Sequence, residues 1–359
     1  MSAFANRRMD RRAVMALGGS ALLSACTPRG ALGVRPDLDA PTTQSVWAVA
    51  TGEQQPIVLH GTTDLQKVTL SRFVRYDISI PQKREVGQIA WPGDRVDPEQ
   101  DFYVANLEEL PDIDQMLDQI AARLQPGQDI TLFVHGYNSN YAEAVYRHAQ
   151  IAHDFDNTGP QITIVWPSEA STTGYLTDRD TALIARDHLE TLLPRLTRRF
   201  PGRVVLAAHS MGAFLTMETL RQMSISGNDI TQDLGALVLI SPDIRIDVFQ
   251  SQVARMAQLP AVTVLILSQR DRALQLSSRL AGGKPRLGSA ADIAVLSGMD
   301  LLVVDLSDLP DSGLGNHLAL TTSPAAIAFI RGISLANPVL QDRRGGGLLV
   351  LRVPLPIRR

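Results

Sequence analysis

Short apolar segments that alternate with amphipathic stretches constrain the fold of this chain more than any other feature. Six such segments cover residues 130–134, 162–166, 204–208, 236–240, 262–267 and 301–305. Helical periodicity follows in residues 139–153, 178–200, 247–258 and 323–332. Strands that are apolar on both faces and joined by helices form parallel sheets covered on both sides. The pattern therefore predicts an α/β domain with a mostly parallel central sheet and helices on both faces.

The predicted domain begins before the first of these segments. Residues 46–50 predict a first short strand, and residues 71–80 alternate with the period of a half-buried strand. We expect residues 88–91 to pair nearby as an antiparallel edge strand. These features place the domain at residues 46–336. A peripheral C-terminal tail, residues 337–359, has no predicted role.

The N-terminus has the layout of a secretory signal peptide. Residues 7–12 are rich in arginine, and the apolar run of residues 13–25 is too short to span a bilayer as a stable helix. Residues 23–26 resemble a bacterial lipobox, whose cysteine is lipidated, typically with palmitate. We expect residues 1–25 to be removed and Cys26 to become a lipid anchor. Residues 26–45, which lack an apolar period, are predicted to form a flexible tether.

The same segment predicts a location in the cell envelope. Arg11 and Arg12 precede the apolar run and resemble a twin-arginine export signal, so export is expected by the Sec or the twin-arginine route. Thr27 follows the cysteine where an acidic residue would favour retention in the inner membrane. By that resemblance, we expect the protein on the outer membrane of a Gram-negative bacterium, facing the periplasm.

Charge and cysteine content exclude several classes of function. The formal net charge is −3 and basic residues are scattered, which does not indicate a nucleic-acid partner. Cys26 is the only cysteine, so an internal disulfide framework and a cysteine-rich metal site are excluded. There is no H-E-x-x-H motif or spaced histidine–carboxylate cluster, so neither a metal nor a cofactor is predicted.

The segment Ala208-His209-Ser210-Met211-Gly212 resembles the G-x-S-x-G nucleophile turn of α/β hydrolases, with alanine in the first position. A strand precedes it and a helix follows it, which is the context this turn requires. Small residues two positions before and after the serine allow a sharp turn that exposes the hydroxyl. Ser210 is therefore the predicted nucleophile, with His209 and Gly212 supporting it. The alternative is an ordinary helix-capping serine.

A serine nucleophile needs a base and an acid that orients the base. In α/β hydrolases the chain order is serine, acid, histidine. His317 is the only histidine after Ser210, so it is the predicted base. Asp271, directly after the strand at 262–267, is the predicted acid. Asp243, directly after the strand at 236–240, is the alternative acid.

An acyl-transfer site also needs hydrogen-bond donors for the developing oxyanion. One predicted donor is the backbone N–H of Met211, directly after the nucleophile. The other is the backbone N–H of Tyr137, in the segment His135-Gly136-Tyr137-Asn138 that follows a strand and resembles the H-G-x loops of lipases and esterases. Gly136 would let the backbone approach a substrate, and Asn138 would hold the loop or open the next helix.

Taken in order, these motifs resemble a bacterial α/β-hydrolase family formerly catalogued as a domain of unknown function. The matching segments are VWAVAT (46–51), ISIP (78–81), FVHGYN (133–138), VWPS (165–168), AHSMG (208–212), SPDI (241–244), SQRDRAL (268–274) and Gly315-Asn316-His317. The resemblance implies an α/β-hydrolase fold and the triad named above, but no substrate. Gly52 departs from the pattern, in which asparagine or arginine often follows the N-terminal threonine.

The predicted function is carboxylic-ester hydrolysis through an acyl-enzyme, on a small-molecule ester. A thioesterase or an amidase would use the same residues, so ester is chosen because esterases are common on this fold. The remaining alternative is a non-catalytic envelope lipoprotein that uses the hydrolase fold for binding.

Overall fold

A computed structural model describes residues 30–52, 72–92, 95–290, 292–309, 317–332 and 347–353. The strands are β1 (Thr43–Ala50), β2 (Phe73–Ser79), β3 (Tyr103–Leu110), β4 (Ile130–Val134), β5 (Gln161–Val165), β6 (Val204–His209), β7 (Ala236–Ile240), β8 (Thr263–Leu267), β9 (Leu302–Asp305) and β10 (Leu349–Arg352). The helices are α1 (Ile113–Arg123), α2 (Tyr141–Asp154), α3 (Tyr175–Arg199), α4 (Met211–Ile225), α5 (Ile246–Val253), α6 (Arg272–Leu280), α7 (Ala319–Thr322) and α8 (Pro324–Gly332).

The ten strands form one sheet in the order β10-β9-β8-β7-β6-β4-β5-β1-β2-β3. All neighbours from β10 to β1 are parallel, and only β1–β2 and β2–β3 are antiparallel. The six apolar segments of the sequence are β4 to β9. The predicted mostly parallel α/β sheet is therefore confirmed.

Both faces of the sheet are buried, as the continuous apolar segments require. Within β1, Trp47 and Val49 pack into one hydrophobic cluster, whereas Val46 and Ala48 pack into another on the opposite face. The first cluster includes side chains of α1, α3 and α4, and the second includes side chains of α2. The sheet is thus a middle layer between helices.

The antiparallel end of the sheet differs from the prediction for residues 88–91. These residues form no strand, and the partner of β2 is β3, paired from Phe73↔Leu110 to Ser79↔Tyr103. Residues 88–91 instead pack beside the sheet: Ala90 accepts a hydrogen bond from the Phe102 N–H, and the Trp91 ring lies 5.5 Å from that of Tyr146. The sequence signal of β3 is weak because polar residues, Asn106, Glu108 and Glu109, interrupt its apolar ones.

Segments on both sides of the predicted domain, residues 46–336, also pack against it. Residues 31–34 of the predicted tether pack on the domain, where Leu32 is 1% exposed and Val34 forms a bridge with Val104. Part of the predicted peripheral tail joins the sheet, because β10 pairs in parallel with β9. Both segments are short and carry only two or three apolar residues in a row or in alternation, so their local signal is weak.

The predicted signal peptide and Cys26 lie outside the described residues. Among the helices that are described, none combines the length and the apolar character needed to cross a membrane.

Candidate active site

Loops from four adjacent parallel strands meet at the C-terminal edge of the sheet. They follow β4, β6, β7 and β8, and they carry the residues predicted for the oxyanion site, the nucleophile and the two candidate acids. Ligands of open α/β sheets bind outside this edge. The candidate site is built from these loops and from His317, just before α7.

Ser210 occupies a strained turn between β6 and α4. Its backbone angles are φ 53° and ψ −118°, in a region that non-glycine residues rarely adopt and that costs about 1–3 kcal/mol. Two hydrogen bonds hold the turn: the Ser210 N–H donates to Ile240 O (2.9 Å), and the Asp243 N–H donates to Ser210 O (3.1 Å). The side chain makes no capping hydrogen bond to α4. Ser210 therefore differs from an ordinary capping serine, because its hydroxyl is left available for other chemistry.

Two glycines allow the turn to pack against the loop after β4. A Cβ atom at Gly212 would lie 2.3 Å from His135 O and 2.5 Å from Val134 O, so no larger residue fits without a shift of the backbone. A Cβ atom at Gly136 would lie 2.8 Å from His209 Nδ1 and 3.0 Å from Ser210 Cβ. The two loops are therefore in direct contact around the serine.

Asp271 and His317 lie together, although 46 positions separate them in the chain. Asp271 is fully buried and caps α6, with Oδ1 accepting from the Leu274 N–H at 2.9 Å. Its Oδ2 lies 2.8 Å from His317 Nδ1. Because an ionised carboxylate can only accept, His317 Nδ1 carries the proton of this hydrogen bond. In the neutral imidazole the lone pair then lies on Nε2, as a general base requires.

His209 fixes the backbone of His317 beside the nucleophile. Its Nε2 lies 3.2 Å from the His317 carbonyl oxygen, which can only accept, so His209 Nε2 donates. The two imidazole rings are 4.7 Å apart. Burial and the neighbouring His317 lower the pKa of His209 well below its ordinary value, so the ring is neutral at neutral pH. Among the described residues, no hydrogen bond joins the Ser210 hydroxyl to His317; such contacts often tighten only when substrate is bound.

Asp243, the alternative acid, is paired with a different group. It is 1% exposed, and its Oδ1 lies 3.0 Å from Arg286 Nε and accepts from the Ser277 hydroxyl at 2.9 Å. Arg286 is also buried, and its Nη2 donates to Ser277 O at 3.2 Å and to the Tyr175 hydroxyl at 3.3 Å. The Asp243 carboxylate is therefore committed to a buried ion pair rather than to His317.

The loop after β4 is held by a buried, neutral histidine. His135 Nδ1 donates to Gly136 O at 2.8 Å, and its Nε2 accepts from the Trp166 N–H at 3.2 Å. Burial lowers the pKa of His135 to about 4, so this ring stays neutral and keeps both hydrogen bonds. The Trp166 ring stacks on it at 5.1 Å and 6°. His135 thus shapes the loop, and both of its ring nitrogens are engaged in the hydrogen bonds that do so.

Asp178 is a site residue whose role the sequence did not indicate. The periodicity predicted a helix from residue 178 onward, but α3 begins at Tyr175 and Asp178 lies inside its first turn, fully buried. Its carboxylate accepts from the Ser168 hydroxyl (2.5 Å), the Glu169 N–H (2.7 Å) and the Asn138 N–H (3.3 Å). Asn138 has φ 57°, a left-handed conformation that this contact helps to fix. Arg286 was missed as well, because neither residue belongs to a motif.

The two candidate oxyanion donors lie in these loops. Met211 is the first residue of α4, so its N–H is one of those without an acceptor inside the helix. Tyr137 follows Gly136, and its ring packs edge-on against Tyr175 at 5.5 Å. Burial, together with the charge of Asp243, raises the pKa of both tyrosines, so both phenols stay protonated. Within the described ranges, no group of three histidine, cysteine or acidic side chains could hold a metal ion.

A family model described as "Alpha/beta hydrolase of unknown function (DUF900)" matches residues 113–333, more than half of the chain. This segment contains β4 to β9 and every residue of the candidate site. A comparison with curated proteins finds no match.

Solved structures with some likeness include several hydrolases. Esterase PE8 is 20% identical, with 57% of this chain and 93% of that chain covered and a TM-score of 0.36. A dienelactone hydrolase from Anabaena variabilis is 15% identical, with 59% and 86% covered and a TM-score of 0.36. The thermostable carboxylesterase EstE1, cloned from a metagenomic library, is 13% identical, with 95% and 85% covered and a TM-score of 0.31. At such scores the likeness carries no argument about activity, and the α/β-hydrolase fold rests on the family match and the sheet.

Proposed function

We propose, for a chain that belongs to this family of α/β hydrolases of unknown function, that it is a serine hydrolase with Ser210 as nucleophile, His317 as base and Asp271 as acid. The observation that carries the proposal is the Asp271–His317 contact of 2.8 Å, beside a serine in a strained turn. A serine that only capped a helix would need neither the strain nor a neighbouring carboxylate–imidazole pair.

The proposed reaction follows from the tautomer of His317. Nε2 takes the proton of the Ser210 hydroxyl while the oxygen attacks the carbonyl carbon of the substrate. The Asp271 carboxylate stabilises the imidazolium that forms. The backbone N–H groups of Met211 and Tyr137 donate to the oxyanion, and collapse of the tetrahedral intermediate expels the alcohol, which takes the proton from Nε2. Water then hydrolyses the acyl-enzyme by the same steps.

His209 acts in this scheme as a positioning residue. Asp271 holds the ring of His317 at Nδ1, and His209 holds its backbone carbonyl, so the base is fixed at two points. His209 itself does not touch the reacting atoms. The other ring nitrogen of His209, Nδ1, lies close to Gly136, 2.8 Å from the position that a Cβ atom there would take.

A carboxylic ester is the proposed substrate class. Two backbone N–H donors, placed for the oxyanion that forms when a serine attacks a carbonyl carbon, suit a carboxylic-acid derivative. Thioesters and amides would follow the same route. Graded p-nitrophenyl esters, compared with an acyl thioester and an anilide, would test this choice, and faster turnover of the thioester or the anilide would replace it.

A fluorophosphonate probe tests the mechanism without a chosen substrate, because it reacts with activated serines and not with ordinary hydroxyls. We expect labelling of the wild-type protein and none of Ser210→Ala or His317→Ala. Ser241→Ala is a matched control, since Ser241 is also buried at this edge with a positive φ of 43°. Failure of the folded wild-type protein to react would favour a binding protein that uses the hydrolase fold.

The N-terminal sequence supports a second proposal, on location: Cys26 is lipidated and anchors the protein to the outer membrane, facing the periplasm. The support is the basic segment, the apolar run and the lipobox that end at the only cysteine. In cells, Cys26→Ser should move the protein from the membrane fraction to the soluble fraction. Ser24→Ala, which leaves the cysteine in place, should stay in the membrane fraction.

A further inference from the structure

Helix α6 has an exposed face that mixes leucine with arginine. Leu276 is 55% exposed and Leu280, one turn later, is 61% exposed. Arg272 and Arg279 share this face, because positions i, i+4, i+7 and i+8 of a helix lie on one side. The opposite face carries Leu274 and Ser277, which are buried against the domain.

Along the chain, the exposed charged side chains that flank these leucines all have one sign. In residues 268–290 the exposed ionisable side chains are Arg270, Arg272, Arg279 and Lys284, and the only acidic residue, Asp271, is fully buried. A surface helix that combines cations with large apolar side chains is typical of proteins that lie on anionic membranes.

This face lies at the rim of the candidate active site. Asp271 caps α6 and contacts His317, and Ser277 of the same helix donates to Asp243, whose own N–H donates to Ser210 O. Leu176, which is 69% exposed, follows Tyr175, and the Tyr175 hydroxyl contacts Arg286 just beyond α6. Three of the most exposed leucines in the described part of the chain therefore belong to helices that also contribute residues to this edge of the sheet.

We propose that the α6 face, defined here as Leu276, Arg279 and Leu280 with Lys284 and Leu176 beside it, docks on an anionic phospholipid surface. The leucines would enter the headgroup region while the cations pair with lipid phosphates. The Cys26 anchor would only tether the protein, whereas this face would set its orientation and direct the active-site edge toward the membrane. Docking requires no catalysis, so a failed docking test would not contradict the proposed hydrolase activity, and loss of activity would not contradict docking.

A site-specific probe tests docking in the full chain. The N-terminal segment is itself basic and apolar, so binding of the whole protein to vesicles decides nothing. In a Cys26→Ser, Ser210→Ala background, Leu276→Cys is labelled with an environment-sensitive fluorophore, with Leu280→Cys as a second probe site. Ile225→Cys, at the end of α4 and 45% exposed, is the matched control.

We expect a blue shift at the Leu276→Cys and Leu280→Cys probes with phosphatidylglycerol-containing vesicles, a much smaller shift with phosphatidylcholine alone, and none at the control. Adding Arg279→Gln and Lys284→Gln should weaken the response about fivefold per cation. Arg198→Gln with Arg255→Gln should leave it unchanged. Equal shifts at control and probe, or insensitivity to the Arg279→Gln and Lys284→Gln changes, would overturn the proposal. The same shift with polyglutamate would reassign the face to an acidic protein partner.

Discussion

Two loops that leave adjacent strands at the same edge of the sheet each carry a buried aspartate, and they use it in opposite ways. The loop after β8 places Asp271 as a helix cap whose second oxygen contacts a histidine. The loop after β7 places Asp243 against the guanidinium of Arg286. An imidazole can gain and lose a proton near neutral pH, whereas a guanidinium cannot. The partner, and not the position along the chain, thus separates the aspartate suited to catalysis from the one suited to structure.

The largest expected effect is that of Asp271→Asn on turnover. Asparagine can still cap α6 through its carbonyl oxygen, so the fold should persist, but its amide favours the wrong tautomer of His317. Ester hydrolysis should fall by about 10³–10⁴-fold. Asp292→Asn is the control, because Asp292 also caps a short helix, by accepting from the Ala294 N–H, but lies on the surface. A loss of less than tenfold for Asp271→Asn would contradict the proposal that Asp271, and not Asp243, is the catalytic acid.

Asp243→Asn should reduce stability instead. It leaves the Arg286 charge buried without its counter-ion, which costs about 3–5 kcal/mol in the free energy of unfolding measured with urea. Asp243→Leu combined with Arg286→Met should recover most of that loss, since it removes both charges. Asp247→Asn, which disrupts an exposed pair with Arg245, should have no measurable effect. If Asp243→Asn lost turnover as strongly as Asp271→Asn while folded, the roles of the two loops would have to be exchanged.

A substitution at His209 should have a smaller effect, because His209 only holds His317, the partner of Asp271, in place. His209→Ala removes the donor to the His317 carbonyl, and we expect the fluorophosphonate labelling rate to fall about tenfold, the value of one hydrogen bond. His209→Gln places an amide donor near the same position and should recover much of the rate. The pH dependence of labelling distinguishes positioning from damage, because only a displaced base would shift its midpoint. An unchanged midpoint with a uniformly lower rate would indicate a structural role alone.

Low pH can abolish activity in two ways, by protonating the proposed base His317 or by unfolding the protein. An acid titration of stability separates the two. Burial lowers the pKa of His135 to about 4 and that of His148 to about 3, while a histidine of the unfolded chain has a pKa near 6.5. Below that value the unfolded state binds more protons, so this contribution to stability is complete above about pH 6.5 and declines as pH falls toward the native pKa values. At pH 5 each histidine should cost about 2 kcal/mol.

The check is urea unfolding of the wild-type protein and of His148→Leu from pH 5 to pH 8. The variant should lose about a third of the acid slope, whatever its stability at pH 8, because His135 and His209 are also buried with a lowered pKa. An identical slope in both proteins would mean that His148 is not the neutral, buried group described above. Activity measured at the same pH values would then report the base alone wherever the protein remains folded.

Features that depend on local pattern, such as the strands of the sheet and the turn at Ser210, could be predicted from the sequence alone. Apolar segments of five or six residues indicated buried strands, and their alternation with helices predicted a parallel sheet. The residues around Ser210 could be identified because a sharp turn accepts only small neighbours, and Gly212 indeed has carbonyl oxygens where a Cβ atom would lie. His317 was singled out by chain order, since no other histidine follows the serine.

The roles of side chains that depend on distant partners became visible only in the tertiary structure. Asp243 and Asp271 both follow strands and both precede His317, so the sequence favoured Asp271 but kept Asp243 as the alternative acid. The structure gives the two aspartates different partners, with a 2.8 Å contact to His317 for Asp271 and an ion pair with Arg286 for Asp243. Arg286, Asp178 and the edge strand β10 had little local signal, because their roles come from long-range contacts. A sequence specifies local conformation through sterics and periodicity, whereas the electrostatic role of a buried charge is set only when distant segments pack together.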